Sequence, residues 1–377
     1  MSAIAVLGWS GVVKRVGRDG MKRLTEGSLF TGFGGVDLGY KKAELEHAWG
    51  LEYDPKICEV ANANFGGSVR CMNILDADPF KFEKVDVLHA SPVCKSYSQA
   101  NANKGEKRLD IDCAKKVCEF LRVLQPKYFT LENVAAYRYT RTDEGEVTAF
   151  GHIVETLNQL GYWSDYKILN SADFGVPQSR RRLILVAVKD GFIPSLPAKE
   201  KHVGWYEAIK DKVHDLEDSD LAPWQWKALP SQIREATESI LLLRDTKFTN
   251  AKTKEPSPTL TSDACQKDYK AILIENTGAR SDRELQTRAA NDPCWTLRSM
   301  GQDGHWHRAN ALLENAKIKA LDIACLARLQ SFPDDYIWSG VKSLDGMGIG
   351  NSVPPLMMEK IARSVFCDEP TTTQSRS

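Results

Sequence analysis

Between residues 23 and 190, short apolar runs alternate with stretches whose apolar residues recur at helical spacing. The runs predict strands over 23–30, 46–52, 85–90, 128–132, 163–170 and 182–188. The intervening pattern predicts helices over 35–42, 55–65, 110–124 and 152–160. Strand and helix in alternation build a mostly parallel sheet with helices on both faces, because each parallel crossover must leave the sheet plane. The expected fold class is therefore α/β, doubly wound, with a mostly parallel sheet.

After Lys189 the pattern breaks. Prolines punctuate a stretch of irregular polarity that includes the acidic run Asp215-Leu216-Glu217-Asp218-Ser219-Asp220. Glu255-Pro256-Ser257-Pro258-Thr259-Leu260 is echoed by Asp292-Pro293-Cys294-Trp295-Thr296-Leu297, and each precedes an apolar strand, over 271–274 and 311–313. Two related strand units suggest a smaller, β-rich domain. Helical spacing returns at 321–330 and again at 361–366. The expected division is an N-terminal extension (1–22), a main domain (23–190), a second domain (191–318), a segment returning to the first (319–368) and a tail (369–377). Met21 offers an alternative start ahead of the first strand, which would make the extension dispensable.

Composition narrows this picture only a little. The chain has 377 residues, 42% of them hydrophobic and 27% charged, with a formal net charge of zero. Such a chain is an ordinary globular protein and no polycation, so any nucleic-acid partner must be met by basic groups gathered on one face. No apolar run reaches the length needed to span a bilayer. The nine cysteines are odd in number, scattered and without a CxxC pair. That pattern argues against a disulfide framework or a metal centre and for a reducing cytoplasm.

Candidate chemistry gathers at the predicted strand ends. The first strand runs into Phe30-Thr31-Gly32-Phe33-Gly34-Gly35, where glycines permit a tight turn and let a ligand lie against a helix N-terminus. Glu52, at the end of the next strand, stands where a carboxylate can hold ribose hydroxyls. Together they indicate a nucleoside-containing cofactor without separating a dinucleotide from S-adenosylmethionine. Cys94 follows the strand over 85–90 within Ser91-Pro92-Val93-Cys94-Lys95-Ser96-Tyr97-Ser98. Most cysteines are packing residues, but serine, lysine and tyrosine make an odd core, and Lys95 favours the reactive thiolate. Glu132, in Glu132-Asn133-Val134, ends the following strand and is a candidate proton donor to a ring nitrogen. Gln178-Ser179-Arg180-Arg181-Arg182 adds guanidinium forks suited to phosphate and base oxygens.

With Arg328-Leu329-Gln330-Ser331-Phe332-Pro333 and Gly350-Asn351-Ser352-Val353-Pro354-Pro355, these strings occur in one order. The series resembles that of the DNA cytosine-5 methyltransferase family, prokaryotic or phage type, over about residues 24–368 apart from 190–315. The resemblance implies a Rossmann-like catalytic domain that binds S-adenosyl-L-methionine, releases S-adenosyl-L-homocysteine and uses no metal. It implies a target-recognition domain over 191–318 and double-stranded DNA as substrate. Cys94 would add to carbon 6 of a flipped-out cytosine and Glu132 would protonate N3. Arg182 would contact O2 and Arg180 would hold the cysteine loop.

Phe30, Thr31, Gly32, Phe33, Gly34, Gly35, Glu52, Tyr53, Asn73, Ile74, Pro92, Asn351, Ser352 and Val353 would line the cofactor pocket. Lys95, Ser98, Gln178, Arg280, Arg283, Arg298 and Arg308 would face DNA. Val93 and Lys95 depart from the proline and glutamine usual beside the cysteine, and Asn73 stands in place of a common aspartate. The resemblance further implies a monomer in the cytoplasm, associated with the nucleoid, with a restriction endonuclease as a separate companion. A transfer-RNA methyltransferase and a catalytically inactive DNA-binding relative are the alternatives. The length of 190–315 favours DNA over RNA, and the intact Cys94, Glu132, Arg180 and Arg182 favour an enzyme.

Overall fold

The computed structural model describes residues 23–93, 104–139, 147–191, 193–218, 271–274, 287–289, 292–295, 311–314 and 317–367. Cys94, Lys95, Ser98, Arg280, Arg283, Arg298 and Arg308 lie outside them. The first half contains β1 (Thr25–Leu29), α1 (Gly35–Lys42), β2 (Glu46–Glu52), α2 (Pro55–Phe65), β3 (Val69–Cys71), β4 (Val87–Ala90), α3 (Lys104–Leu124), β5 (Tyr128–Asn133), α4 (Ala149–Gln159), β6 (Trp163–Asn170), β7 (Gln178–Ser179) and β8 (Arg181–Val188). The predicted strands and helices are all present, while β3 and β7, too short to show a pattern, were not predicted and α3 starts before the expected 110. The helix ends are written in local chemistry. Asp54 caps α2 by accepting from the Lys56 and Ile57 amides, Pro55 occupies the first turn, and Gly66 closes the helix in the left-handed region.

Seven strands form one sheet in the order β3-β2-β1-β4-β5-β8-β6. β1 to β5 pair in parallel, whereas β8 runs antiparallel to both β5 and β6. β4 is buried throughout and β5 almost so, which is why they read as unbroken apolar runs. α3 and α4 cover one face through Val117, Phe120, Leu121, Ile153 and Leu157. α1 covers the other through Val36 and Tyr40, joined there by Met357, Met358 and Ile361 from the far end of the chain.

The C-terminal segment departs from the pattern. A helix of Lys342–Asn351 forms where none was predicted, and the last α-helix spans Pro355–Ala362, followed by a π-helical turn at Arg363–Cys367, in place of 361–366. Glycines 346, 348 and 350 make a poor helix by propensity. Packing decides otherwise: a Cβ at Gly348 would lie 2.1 Å from the Phe33 ring, so only glycine lets this helix approach the turn after β1.

β9 (Ala271–Ile274), β10 (Thr287–Ala289), β12 (Ala311–Glu314) and β13 (Lys317–Ala320) form a separate antiparallel sheet in the order β10-β9-β12-β13. The two strands that follow the sequence echo, β9 and β12, are direct neighbours in it. β11 (Cys294–Trp295) instead pairs with β7 of the first domain. A short helix, Trp205–Ile209, falls within the segment assigned to the second domain. Its Trp205 and Ile209 pack in a cluster with Phe33, Phe65 and Leu329, against the first domain. Among the described residues, no helix is long and apolar enough to cross a membrane.

Beneath α1, Glu26, Asp37 and His47 form a buried cluster in which His47 Nδ1 bonds Glu26 and lies 3.4 Å from Asp37 Oδ1. Burial, with Asp37 adding to it, pushes the Glu26 carboxyl up to about 7, and burial also raises Asp37. Burial opposes charge on His47, yet Glu26 and Asp37 carry its pKa up to about 9. All three groups therefore hold protons more tightly folded than unfolded. Glu26's contribution is complete below pH 4.5 and lost as pH rises through about 7; that of His47 is complete below 6.5 and lost through about 9. The melting temperature should fall as pH is raised across that window, and Asp37→Asn should flatten the fall. A parent protein whose melting temperature climbs over the same range would contradict this.

Candidate active site

The register of the sheet builds the site. Leu29 pairs with Ala90, and Ala90 pairs with Leu131. The segments that leave these three strands, Phe30–Gly35, Ser91–Val93 and Glu132–Val134, therefore emerge side by side at one rim. This is the carboxyl edge of the parallel strands, where open α/β sheets bind ligands.

The turn after β1 is coiled by left-handed residues at alternate positions: Phe30 (φ 63°), Gly32 (φ 56°) and Gly34 (φ 68°). Phe30 is not a glycine, so its backbone conformation is strained and is held by its surroundings. The turn leans on β2. Thr31 N–H donates to the Leu51 carbonyl, the Leu51 N–H donates to Thr31 Oγ1, and Gly32 N–H donates to Glu52 Oε2 at 2.9 Å. Glu52 Oε1 accepts from the Tyr53 and Asp54 amides at 2.8 and 3.0 Å. Three backbone donors thus fix a carboxylate that is 7% exposed at the strand end.

Gly32 has open space where a Cβ would stand, whereas at Gly35 a Cβ would meet the Val353 carbonyl at 2.3 Å. The segment 351–353 packs its backbone on Gly35. Tyr53 leaves a ring 61% exposed beside Glu52, while Ile74 is buried and Asn73 is exposed, its side chain capping the short turn at Ile74–Asp76. An open glycine turn at a helix N-terminus, a fixed carboxylate and an uncovered aromatic ring could together hold a nucleoside.

Glu132 is 7% exposed, and its Oε1 receives Arg182 Nε at 3.0 Å from the adjacent strand. Among the described residues no hydrogen bond is made to Oε2. Arg182 Nη1 is bound to the Arg181 carbonyl. Arg180 is 2% exposed, and its Nη1 donates to the Gly350 carbonyl at 2.9 Å and Nη2 to that of Asn351 at 3.4 Å. It ties the arginine run to the returning segment. Asn133, one residue past Glu132, donates from Nδ2 to the Pro92 carbonyl at 2.9 Å, fastening the segment that leads into Cys94 to the Glu132 strand.

One assignment is corrected. Gln178, expected to face DNA, is fully buried, and its amide donates to the Leu329 carbonyl and to Gln330 Oε1. Gln330 in turn donates to the Ser352 carbonyl at 2.5 Å. These two glutamines knit together the segments at 178, 330 and 352. Gln330 and Asn133 were legible as members of motifs, but no local signal marked their partners.

A mostly parallel seven-stranded sheet with one reversed strand and helices on both faces is an α/β fold of Rossmann-like methyltransferase type. Residues 24–367 match the model of the C-5 cytosine-specific DNA methylase family, and the chain belongs to that family. By that membership it is an enzyme of the DNA (cytosine-5) methyltransferase class.

It is similar to the Type II methyltransferase M1.HphI of Haemophilus parahaemolyticus, at 29% identity over 360 residues, covering 91% of this chain and 87% of the relative. It is similar as well to M.XorII of Xanthomonas oryzae pv. oryzae, at 25% over 364 residues, covering 90% and 83%. The fold is shared with the Entamoeba histolytica methyltransferase EhMeth, with a TM-score of 0.55 at 15% identity, covering 92% of this chain and 98% of that one.

Proposed function

We propose that this protein methylates carbon 5 of a flipped-out cytosine within a specific sequence of double-stranded DNA, with Cys94 as nucleophile. The observation that carries this reading is the Asn133–Pro92 bond at the rim where Glu132 meets Arg182. It supports a placement of Cys94, two residues beyond Pro92, beside the one buried carboxylate of that strand end.

The residues then divide the work. The Cys94 thiolate adds to carbon 6 while Glu132 delivers a proton to N3, so the ring gains a carbon–sulfur bond without accumulating negative charge. Carbon 5 becomes an enamine carbon. S-adenosyl-L-methionine, when bound, supplies the sulfonium methyl that this carbon takes up. Transfer of the carbon-5 proton to solvent water and expulsion of the Cys94 sulfur as thiolate restore the aromatic ring, and Glu132 recovers its proton from N3. Arg182, already fixed on Glu132, is placed to meet O2 of the base. Phe30–Gly35, Glu52 and Tyr53 would hold the nucleoside, with 351–353 closing over it.

A duplex hides carbon 5, so the base must leave the stack at a cost on the order of a few kcal/mol. The segment 191–318 would supply the grip, with Arg280, Arg283, Arg298 and Arg308 as groove or phosphate contacts, and Lys95 and Ser98 on the catalytic side. The names of the relatives support a modification role of restriction–modification type. Bisulfite sequencing of DNA from cells expressing the protein should show protected cytosines confined to one short recurring sequence. Fully converted DNA from cells that contain folded protein would refute the reading.

A further inference from the structure

A buried polar chain runs under the catalytic rim that the proposed chemistry does not use. Tyr40 of α1 is fully buried, and its hydroxyl lies 2.6 Å from Thr130 Oγ1 on β5. Thr130 Oγ1 lies 2.8 Å from His89 Nδ1, and His89 Nε2 lies 2.8 Å from Ser91 Oγ. His89 is 2% exposed in the middle of the sheet, where an apolar residue would be the ordinary occupant.

The chain has a direction. Tyr40 is fully buried, where an unpaired phenol proton is costly, and Thr130 is its hydrogen-bond partner among the described residues. It must therefore donate to Thr130. Thr130 has one proton and spends it on the other side, so His89 Nδ1 accepts. Burial lowers the His89 pKa to about 3, which keeps the ring neutral. A neutral imidazole that accepts at Nδ1 carries its proton on Nε2, and that proton goes to Ser91 Oγ.

Ser91 is the first residue past β4. Its N–H donates to the Leu29 carbonyl at 3.3 Å, and the next residue, Pro92, is held through its carbonyl by Asn133. The segment leading to Cys94 is thus pinned at two successive residues, from two strands.

We propose that His89 is a positioning residue: by donating from Nε2 to Ser91 it sets where the Cys94 loop leaves the sheet. This rests on the proposed role of Cys94 as nucleophile. A reacting atom displaced by about 1 Å costs on the order of 100-fold in rate, so a single bond at the loop root has leverage on the chemistry.

Two amides separate this role from simple packing. Glutamine places its amide nitrogen near the position of Nε2 and preserves donation to Ser91. Asparagine places its oxygen near Nδ1, satisfies Thr130 and loses Ser91. The inference expects His89→Gln to retain single-turnover methyl transfer within a few-fold of the parent. His89→Asn should lose at least about tenfold while melting at the same temperature as His89→Gln. Ser91→Ala, at the half-buried rim, removes the same bond without disturbing the core and should match His89→Asn.

Iodoacetamide labelling of Cys94, followed by mass spectrometry, should change in the same order, which a purely structural role would not produce. Equal rates for the two amides, losses that track melting temperature, or a Ser91→Ala protein at the parent rate would each overturn the inference. Full transfer by Cys94→Ala would instead remove the nucleophile assignment, and the labelling experiment would still report on the loop root.

Discussion

Cys94→Ala is expected to abolish methyl transfer to DNA while leaving DNA binding in place. Carbon 5 of cytosine is too poor a nucleophile to take a methyl group unaided. Without sulfur addition at carbon 6, no enamine forms, so the loss should be complete and not merely large. Binding should survive because it draws on phosphate and groove contacts spread over another part of the chain. Transfer of labelled methyl groups into DNA, read beside a mobility-shift titration, tests both halves. Undiminished transfer would end the assignment. Loss of DNA binding together with transfer would point instead to misfolding or to a role for Cys94 in the grip.

Glu132→Gln should lower the rate by about 10²–10⁴, the range for a positioned acid. The substitution is a clean one here. Arg182 Nε meets Oε1 at 3.0 Å, and an amide oxygen still accepts that bond, though more weakly than a carboxylate, so the side chain keeps its partner. Only the proton for N3 is lost. Cofactor and DNA affinities should hold, placing the effect in the single-turnover rate. A near-parent rate would remove Glu132 from the mechanism, and weakened DNA binding at a normal rate would recast it as a base-recognition group.

Both predictions depend on side chains far apart in sequence, and this separates what was legible from what was not. The candidate groups could be named from the sequence because each sits at a strand end with its own chemical signature. The pairing of Arg182 with Glu132 and of Asn133 with Pro92 could not, since both follow from the register of neighbouring strands. Gln178 shows the opposite failure. Beside three arginines it reads as a surface polar residue, yet a buried amide on Gln330 and Leu329 is what the fold makes of it.

Local chemistry alone determined the six longer strands of the main sheet and the four helices among them, down to the bounds of α1, α2, β2 and β6, because period, caps and prolines act within a few residues; the short β3 and β7 carried no such signal. It also marked the glycine turn and the strand-end carboxylates. Tertiary structure decided the reversal of β8, the helix at Lys342–Asn351 and the burial of Trp205 in the core cluster that also holds Phe33. In each of these the deciding partner is distant along the chain. Strand direction is chosen by which neighbour is free to pair, and a glycine-rich helix forms only where another surface needs its closeness. No window of sequence holds both partners of such a contact, so only the folded chain could settle it.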